Sequence, residues 1–289
     1  MLRFDHMKAQ LATQPAATAA AKTAAGKFWA LTVIALLGSA AGLASLWPVS
    51  LAAARSQSVQ LAADASRANG GEASTDYLLA VKLNPHNQTA YAGLARLQIA
   101  TGHPDDALVS LAHAGTGSDV EQLKLRTLLE LGRFDAAASA AGDLTTPGRS
   151  EADLLLAAEA YMLSGQPSQT TALAPRLSSP DAARRLARIQ AANITFATEL
   201  YANGLLKSSS AVLAKLPASY DSHLLQARIN LAQNASPAET ISHLAAANTL
   251  NPSNTAARTL LAQIYRSQNQ PALATAQDAL IHQLQTGRP

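Results

Sequence analysis

Apolar positions divide the chain into two regimes. From Phe28 to Ser50 the sequence reads FWALTVIALLGSAAGLASLWPVS, and no charged residue occurs between Lys27 and Arg55. Crossing about 30 Å of hydrocarbon takes about 20 apolar residues, so residues 28–50 are predicted to form one transmembrane helix. Trp29 and Trp47 lie near the two headgroup levels, and Pro48 is expected to stop the helix. The alternative is a cleaved signal peptide with Ala52-Ala53-Ala54 as its cleavage site. Signal cores run about 7–15 residues behind a short basic leader. This run is longer and its leader spans residues 1–27, so an uncleaved anchor is expected. Within it, Gly38 and Gly42 have the G-x-x-x-G spacing that lets two helix backbones approach, which would allow a homodimer. A lipid-facing helix of small residues is the plainer reading of the same spacing. Residues 1–27 carry no helical stripe and are expected to be a disordered cytoplasmic tail.

Beyond residue 54 the apolar positions fall in helical stripes. Leu108, Leu111, Leu128, Leu129, Leu154, Leu155, Leu213 and Leu244 are their expected core members. Short turns interrupt the stripes at Gly102-His-Pro-Asp-Asp-Ala107, Gly132-Arg-Phe-Asp-Ala-Ala137, Gly165-Gln-Pro-Ser-Gln-Thr170, Gly204-Leu-Leu-Lys-Ser-Ser209, Ala235-Ser-Pro-Ala-Glu-Thr240 and Asn269-Gln-Pro-Ala-Leu-Ala274. Their starts are about 30, 33, 39, 31 and 34 residues apart. A helix is expected to end at each Gly or Asn, which tolerates a left-handed C-cap. Pro104, Pro167, Pro237 and Pro271 open the next helix, where no amide hydrogen is needed. The small residue one turn later would let two helices pack closely. An abundance of Ala and Leu with only 4% aromatic residues points the same way, to an all-α fold.

From about residue 54 to 285 the sequence resembles the tetratricopeptide repeat family, whose period is about 34 residues. Tyr91-x-x-Leu94-Ala95 with Ala107-x-x-x-Leu111, and Leu261-Ala262-x-x-Tyr265 with Ala274, carry the likeness, as does Ala157-Ala158-x-x-Tyr161. Leu83-Asn84-Pro85 and Leu250-Asn251-Pro252 stand where repeats end. The units at 118–147 and 181–217 depart from the pattern. Lys124 replaces the usual Leu in the first, and the second has extra residues, with Ser179-Pro180-Asp181 expected to open a longer helix. The resemblance implies an α-solenoid of about seven helical hairpins over residues 54–289. In this family the first helices of the hairpins line a groove, which would place Arg96, Arg126, Glu159, Tyr201, Gln226, Gln263 and Arg266 on the binding face. Where the family's chaperone-tail binders carry a Lys and Asn clamp, this chain has Ala92 and Arg96, so that activity is not expected. Gln268, Gln270, Gln277 and Gln283 are expected to form a polar cap at the last unit.

Charge and chemistry change this picture little. The net charge of +3 comes from Arg3, Lys8, Lys22 and Lys27 against Asp5; the rest of the chain holds 18 basic and 18 acidic residues. A neutral domain offers no electrostatic footprint for nucleic acid. Four basic residues before the apolar run, against Arg55 and Arg67 after it, place the N-terminus in the cytoplasm and the solenoid outside. In a bacterium that is the periplasmic side of the inner membrane. With no cysteine there is no disulfide and no thiolate metal site. The seven histidines (His6, His86, His103, His113, His223, His243 and His282) are scattered and read as surface or turn residues; no metal or cofactor is expected. Asp105-Asp106 read as helix-start acids complementing the helix dipole, and Arg184, Arg185 and Arg188 as a solvated basic face. No catalytic motif is present. The chain is therefore expected to be a membrane-anchored scaffold or assembly factor for a cell-envelope machine that binds proteins. A permanent structural subunit of a larger inner-membrane complex is the second reading.

Overall fold

The computed structural model describes residues 43–66 and 71–286. These residues form fifteen α-helices and one 3₁₀ turn, with no strand among them. Residues 28–42 of the predicted anchor, with Gly38 and Gly42, and the predicted tail lie outside the described residues. No helix among the described residues is long and apolar enough to cross a membrane. The chain divides into two compact units, residues 1–93 and 94–289.

In the first unit, α1 (Leu43–Ala65) and α2 (Gly71–Leu83) pack as a hairpin, followed by the start of α3 (Gln88–Ala100). Pro48 does not stop a helix: α1 runs through it for a further 17 residues, to Ala65. A proline forfeits one backbone bond, and the helix beyond it is held by burial of Ser58, Leu61, Ala62 and Ala65. Asn87 locks the corner. Its Oδ1 accepts from the Ala90 amide (3.1 Å), capping α3, and its Nδ2 donates to Ser58 Oγ (2.8 Å) and to the Ser58 carbonyl (3.2 Å). Ser58 Oγ in turn donates to the Ala80 carbonyl, 2.7 Å away. Gly93 is required by close approach: a Cβ there would sit 2.3 Å from Cε1 and Cζ of Tyr77.

The second unit continues from α3 through α4 (Pro104–His113), α5 (Ser118–Glu130), α6 (Phe134–Leu144), α7 (Glu151–Leu163) and α8 (Pro167–Ala172). After the 3₁₀ turn (Ala174–Arg176) come α9 (Pro180–Ala191), α10 (Ile194–Ala202), α11 (Leu206–Leu213), α12 (Tyr220–Ala232), α13 (Pro237–Leu250), α14 (Thr255–Ser267) and α15 (Pro271–Thr286). The helices pair as α5–α6, α7–α8, α10–α11, α12–α13 and α14–α15.

Two kinds of helix end alternate. Within hairpins, Gly102, Gly132, Gly165, Gly204, Asn234 and Asn269 all have positive φ. After each, the next amide donates to the carbonyl five residues back: His103 to Gln98, Arg133 to Leu128, Gln166 to Tyr161, Leu205 to Leu200, Ala235 to Asn230 and Gln270 to Tyr265, at 2.7–2.9 Å. This bond, joined by one from each left-handed residue to the carbonyl three back, is the Schellman motif. The fifth turn starts one residue earlier than predicted, because Asn234 rather than Ala235 takes the left-handed conformation. Between hairpins, side chains do the capping. Ser150 and Ser219 form capping boxes on α7 and α12, and Asn193 and Asn254 cap α10 and α14. Each such cap contributes about 1 kcal/mol.

The small residue after each turn is fully enclosed. Ala107, Ala137, Thr170, Ser209 and Thr240 are 0% exposed, and Ala274 is 2%. Where that residue is polar it bonds across or along the hairpin: Thr170 Oγ1 donates to the Ala158 carbonyl (3.3 Å), Ser209 Oγ to the Ala197 carbonyl (2.7 Å) and Thr240 Oγ1 to the Ser236 carbonyl (3.2 Å).

The interval of 39 residues has a specific cause. α8 is short, and Pro175 confines the continuation to a 3₁₀ turn. The extra residues then form α9, which inserts Ala182, Leu186 and Ile189 into the core and packs on α7. The longer helix expected from Ser179-Pro180-Asp181 is broken. Ala192 takes a left-handed conformation (φ 43°), and Asn193 caps a new helix by accepting from the Thr195 and Phe196 amides.

One contact breaks the neighbour-only pattern of stacked repeats. Helix α11 lies against α5 and α7. Ser208 Oγ donates to the Leu129 carbonyl (2.9 Å), and Lys207 Nζ reaches the Leu131 carbonyl (3.4 Å). Both acceptors are at the end of α5, where the Leu129 carbonyl also accepts from the Gly132 amide and the helix dipole favours a cation.

Candidate functional site

Helical spacing builds a cavity of about 390 Å³ in the second unit. Leu123, Arg126, Thr127 and Glu130 present one face of α5, and Ala152, Leu156 and Glu159 the corresponding face of α7. Arg185 from α9, Ile99 from the end of α3, and the α10–α11 turn at Asn203-Gly204-Leu205 complete the lining. The turn is held there by the return of α11 onto α5.

The base of the cavity is charged. Glu159 is 4% exposed and accepts a 2.7 Å bond from Arg185 Nη2. Burial raises its pKa, an effect opposed by the positive charges of Arg185 and Arg126 and reinforced by the negative charge of Glu199. Glu199 pairs with Arg188. At the mouth, Arg126 and Glu130 are exposed, and neither has an ion-pair partner among the described residues. The site thus offers an apolar wall, a satisfied buried ion pair, and one cation and one anion available to a ligand.

Two carboxylates fix the frame. Asp153 is buried, which by itself would raise its pKa, yet bonds from Gln122 (2.6 Å), Ser150 and Ser118 hold it below the usual carboxylate range. It joins the start of α7 to α5. Glu151 accepts from the hydroxyls and amides of Ser179 and Ser178, which lowers its pKa to about 2 and ties the entry of α9 to α7.

Of the seven residues predicted to face a groove, Arg126 and Glu159 line this cavity together. Tyr201 packs half-buried against the main core, and Gln226 accepts from Ser210 while donating to Asn230. Arg266 pairs with Asp278 on α15; Gln263 and Arg96 are exposed and outside the cavity. Of the three arginines of α9, Arg184 lies on the solvated surface as expected, whereas Arg185 and Arg188 are half-buried. Arg184 pairs with Asp181, Arg185 with Glu159 and Arg188 with Glu199. Asp105 and Asp106 do open α4, and Asp105 meets Arg133 at 2.6 Å.

Sequence reasoning missed Arg185 as a cavity residue, because the register of the inserted α9 follows no repeat. His223 and His243 were expected at the surface or in turns, but both are half-buried on paired helices, with their Nδ1 atoms 3.0 Å apart. Nor is the end of the array purely polar, since Leu273, Leu280 and Leu284 of α15 are 47%, 39% and 40% exposed beside the glutamines.

No family model matches the chain, and no curated protein matches it. Among solved structures it is similar to a tetratricopeptide repeat protein from Parabacteroides merdae. That pair shares 13% identity, covers 81% of this chain and 93% of the other, and has a TM-score of 0.38. It is also similar to the P58(IPK) TPR domain, with 18% identity, 79% of this chain and 60% of that one covered, and a TM-score of 0.35.

Proposed function

We propose that this chain is a protein-binding scaffold, held at a bacterial inner membrane by residues 28–50, whose helical array lies in the periplasm and serves assembly of a cell-envelope machine. The observation that carries the binding role is the α5–α7–α9 cavity, where Arg126 and Glu130 are exposed beside an apolar wall and have no ion-pair partner among the described residues. A cavity of this size takes a few side chains of an extended or helical partner segment. An apolar side chain would enter against Leu123, Leu156 and Leu205, flanked by an acidic and a basic group meeting Arg126 and Glu130. Anchoring would confine partner and scaffold to one surface and raise their effective concentration. The apolar run and the basic residues before it support the anchor and its orientation.

Photo-crosslinking from positions 126 and 130 in cells, followed by mass spectrometry, tests the site. Crosslinks from position 130 to one partner segment, abolished by Arg126→Glu, support it; no crosslink to another protein from either position would overturn it. The second reading, a permanent subunit of a membrane complex, is favoured by the exposed Leu273, Leu280 and Leu284. A stoichiometric, detergent-stable partner would distinguish it from a factor that captures clients substoichiometrically. Retention in the membrane pellet at high pH, lost when residues 1–50 are deleted, tests the anchor.

A further inference from the structure

His223 is the fourth residue of α12 and His243 the seventh of α13, so rigid helix backbone carries both rings. The two helices pack along their lengths. The rings are half-buried, tilted by 41° with centroids 5.3 Å apart, and their Nδ1 atoms are 3.0 Å from each other. The separation is that of one hydrogen bond, and it also lets both Nδ1 atoms reach a single ion. A metal ion about 2.0–2.1 Å from each nitrogen would see them at an angle of about 91–97°. That angle is a cis pair of a square or octahedral complex.

We propose that His223 and His243 bind a divalent transition metal ion that cross-links α12 to α13. The neutral pair shares one proton between the two Nδ1 atoms. On binding, the donating ring moves that proton to its Nε2, and both Nδ1 atoms ligate with no net proton released. Glu239, one turn before His243, adds a negative charge that acts on the same imidazole. Among the described residues no group of three His, Asp, Glu or Cys side chains converges. Two positions are therefore the protein's, and water or a partner's side chain fills the others. Two imidazoles select Ni²⁺, Cu²⁺ or Zn²⁺ over Ca²⁺ or Mg²⁺, which require oxygen ligands.

The test uses the full chain in mild detergent and Ni²⁺ alone, followed by calorimetry and thermal melts. One equivalent is expected to bind and to raise the melting temperature. His223→Asn or His243→Asn should each weaken binding by about tenfold or more, since either removes one arm of the chelate, whereas His282→Asn leaves it unchanged. A variant that fails to fold does not matter to the second arm, because Cu²⁺ bound to the unmodified chain should show hyperfine coupling to two imidazole nitrogens. Wild-type affinity no greater than that of the double variant, or coupling to a single nitrogen, would overturn the proposal and leave the pair a hydrogen bond between helices.

Discussion

Arg185→Met isolates the electrostatics of the cavity. The substitution keeps much of the side-chain volume but leaves the Glu159 carboxylate, 4% exposed, without its ion-pair partner. Breaking a fully buried pair costs about 3–5 kcal/mol. The Arg185 side chain is 41% exposed, so water already screens part of the attraction, and about 2 kcal/mol is the expected loss. At about 2–4 °C per kcal/mol for a domain of this size, the melting temperature should fall by about 4–8 °C at pH 7. The pH dependence carries the sharper test. Burial raises the pKa of Glu159, so the folded state holds this proton to higher pH than the unfolded state does. Stability from this group is present in acid and lost as pH rises through the folded pKa. Removing Arg185 raises that pKa further, so the penalty should be large at neutral pH and shrink as pH falls toward about 4.5. Glu159→Gln keeps an acceptor for Arg185 and removes the buried charge, and should cost under about 0.5 kcal/mol at pH 7. Thermal melts followed by circular dichroism from pH 4.5 to 7.5 read all three proteins. A Glu159→Gln variant as unstable as Arg185→Met, or an Arg185→Met penalty indifferent to pH, would refute the reasoning.

Gly93→Ala should destabilise by about 1–3 kcal/mol despite the better helix propensity of alanine, because the new methyl meets the Tyr77 ring at 2.3 Å. Tyr77→Leu should relieve most of that cost in a double-mutant melt, and a stabilised single variant would show the contact to be loose. Asn87→Ala loses the α3 cap and both bonds that its Nδ2 donates to Ser58, for a fall of about 2 kcal/mol in denaturant unfolding. Ser208→Ala removes the side-chain bond that ties α11 to the end of α5; hydrogen exchange should quicken across α10 and α11 while the α12–α13 hairpin keeps its protection. Glu151 has its pKa lowered to about 2, so its contribution is present above the unfolded carboxylate value and is lost as pH falls through the folded one. Acid titration of Glu151→Gln should accordingly lack the part of the stability loss that the wild type shows between about pH 4.3 and 2.

Much of the hairpin plan was legible because turn chemistry is local. Gly102, Gly132, Gly165 and Gly204 announce left-handed caps, and the enclosed small residues follow at fixed offset. What escaped the sequence was non-local. Nothing in the composition of residues 167–193 says that a truncated helix will be followed by an inserted one, although the 39-residue interval marked the place. Arg126 and Glu159 were readable as facing residues because they keep the register of their helices. Arg185 was not, since its position depends on how α9 docks. The His223–His243 pair, twenty residues apart on two helices, needed the packing of the hairpin to bring it together. Pro48 misled because a proline's local cost can be outweighed by side-chain burial further along the same helix.

The contact of α11 with the end of α5 also bears on how this chain responds to load. An array whose members touch only their neighbours yields to tension by shedding units from either end, one small step at a time. Here a clasp joins residues 79 positions apart, Ser208 to Leu129. Traction on the termini would peel away the outer hairpins gradually and then meet a single barrier, behind which everything from α5 to α11 lets go together.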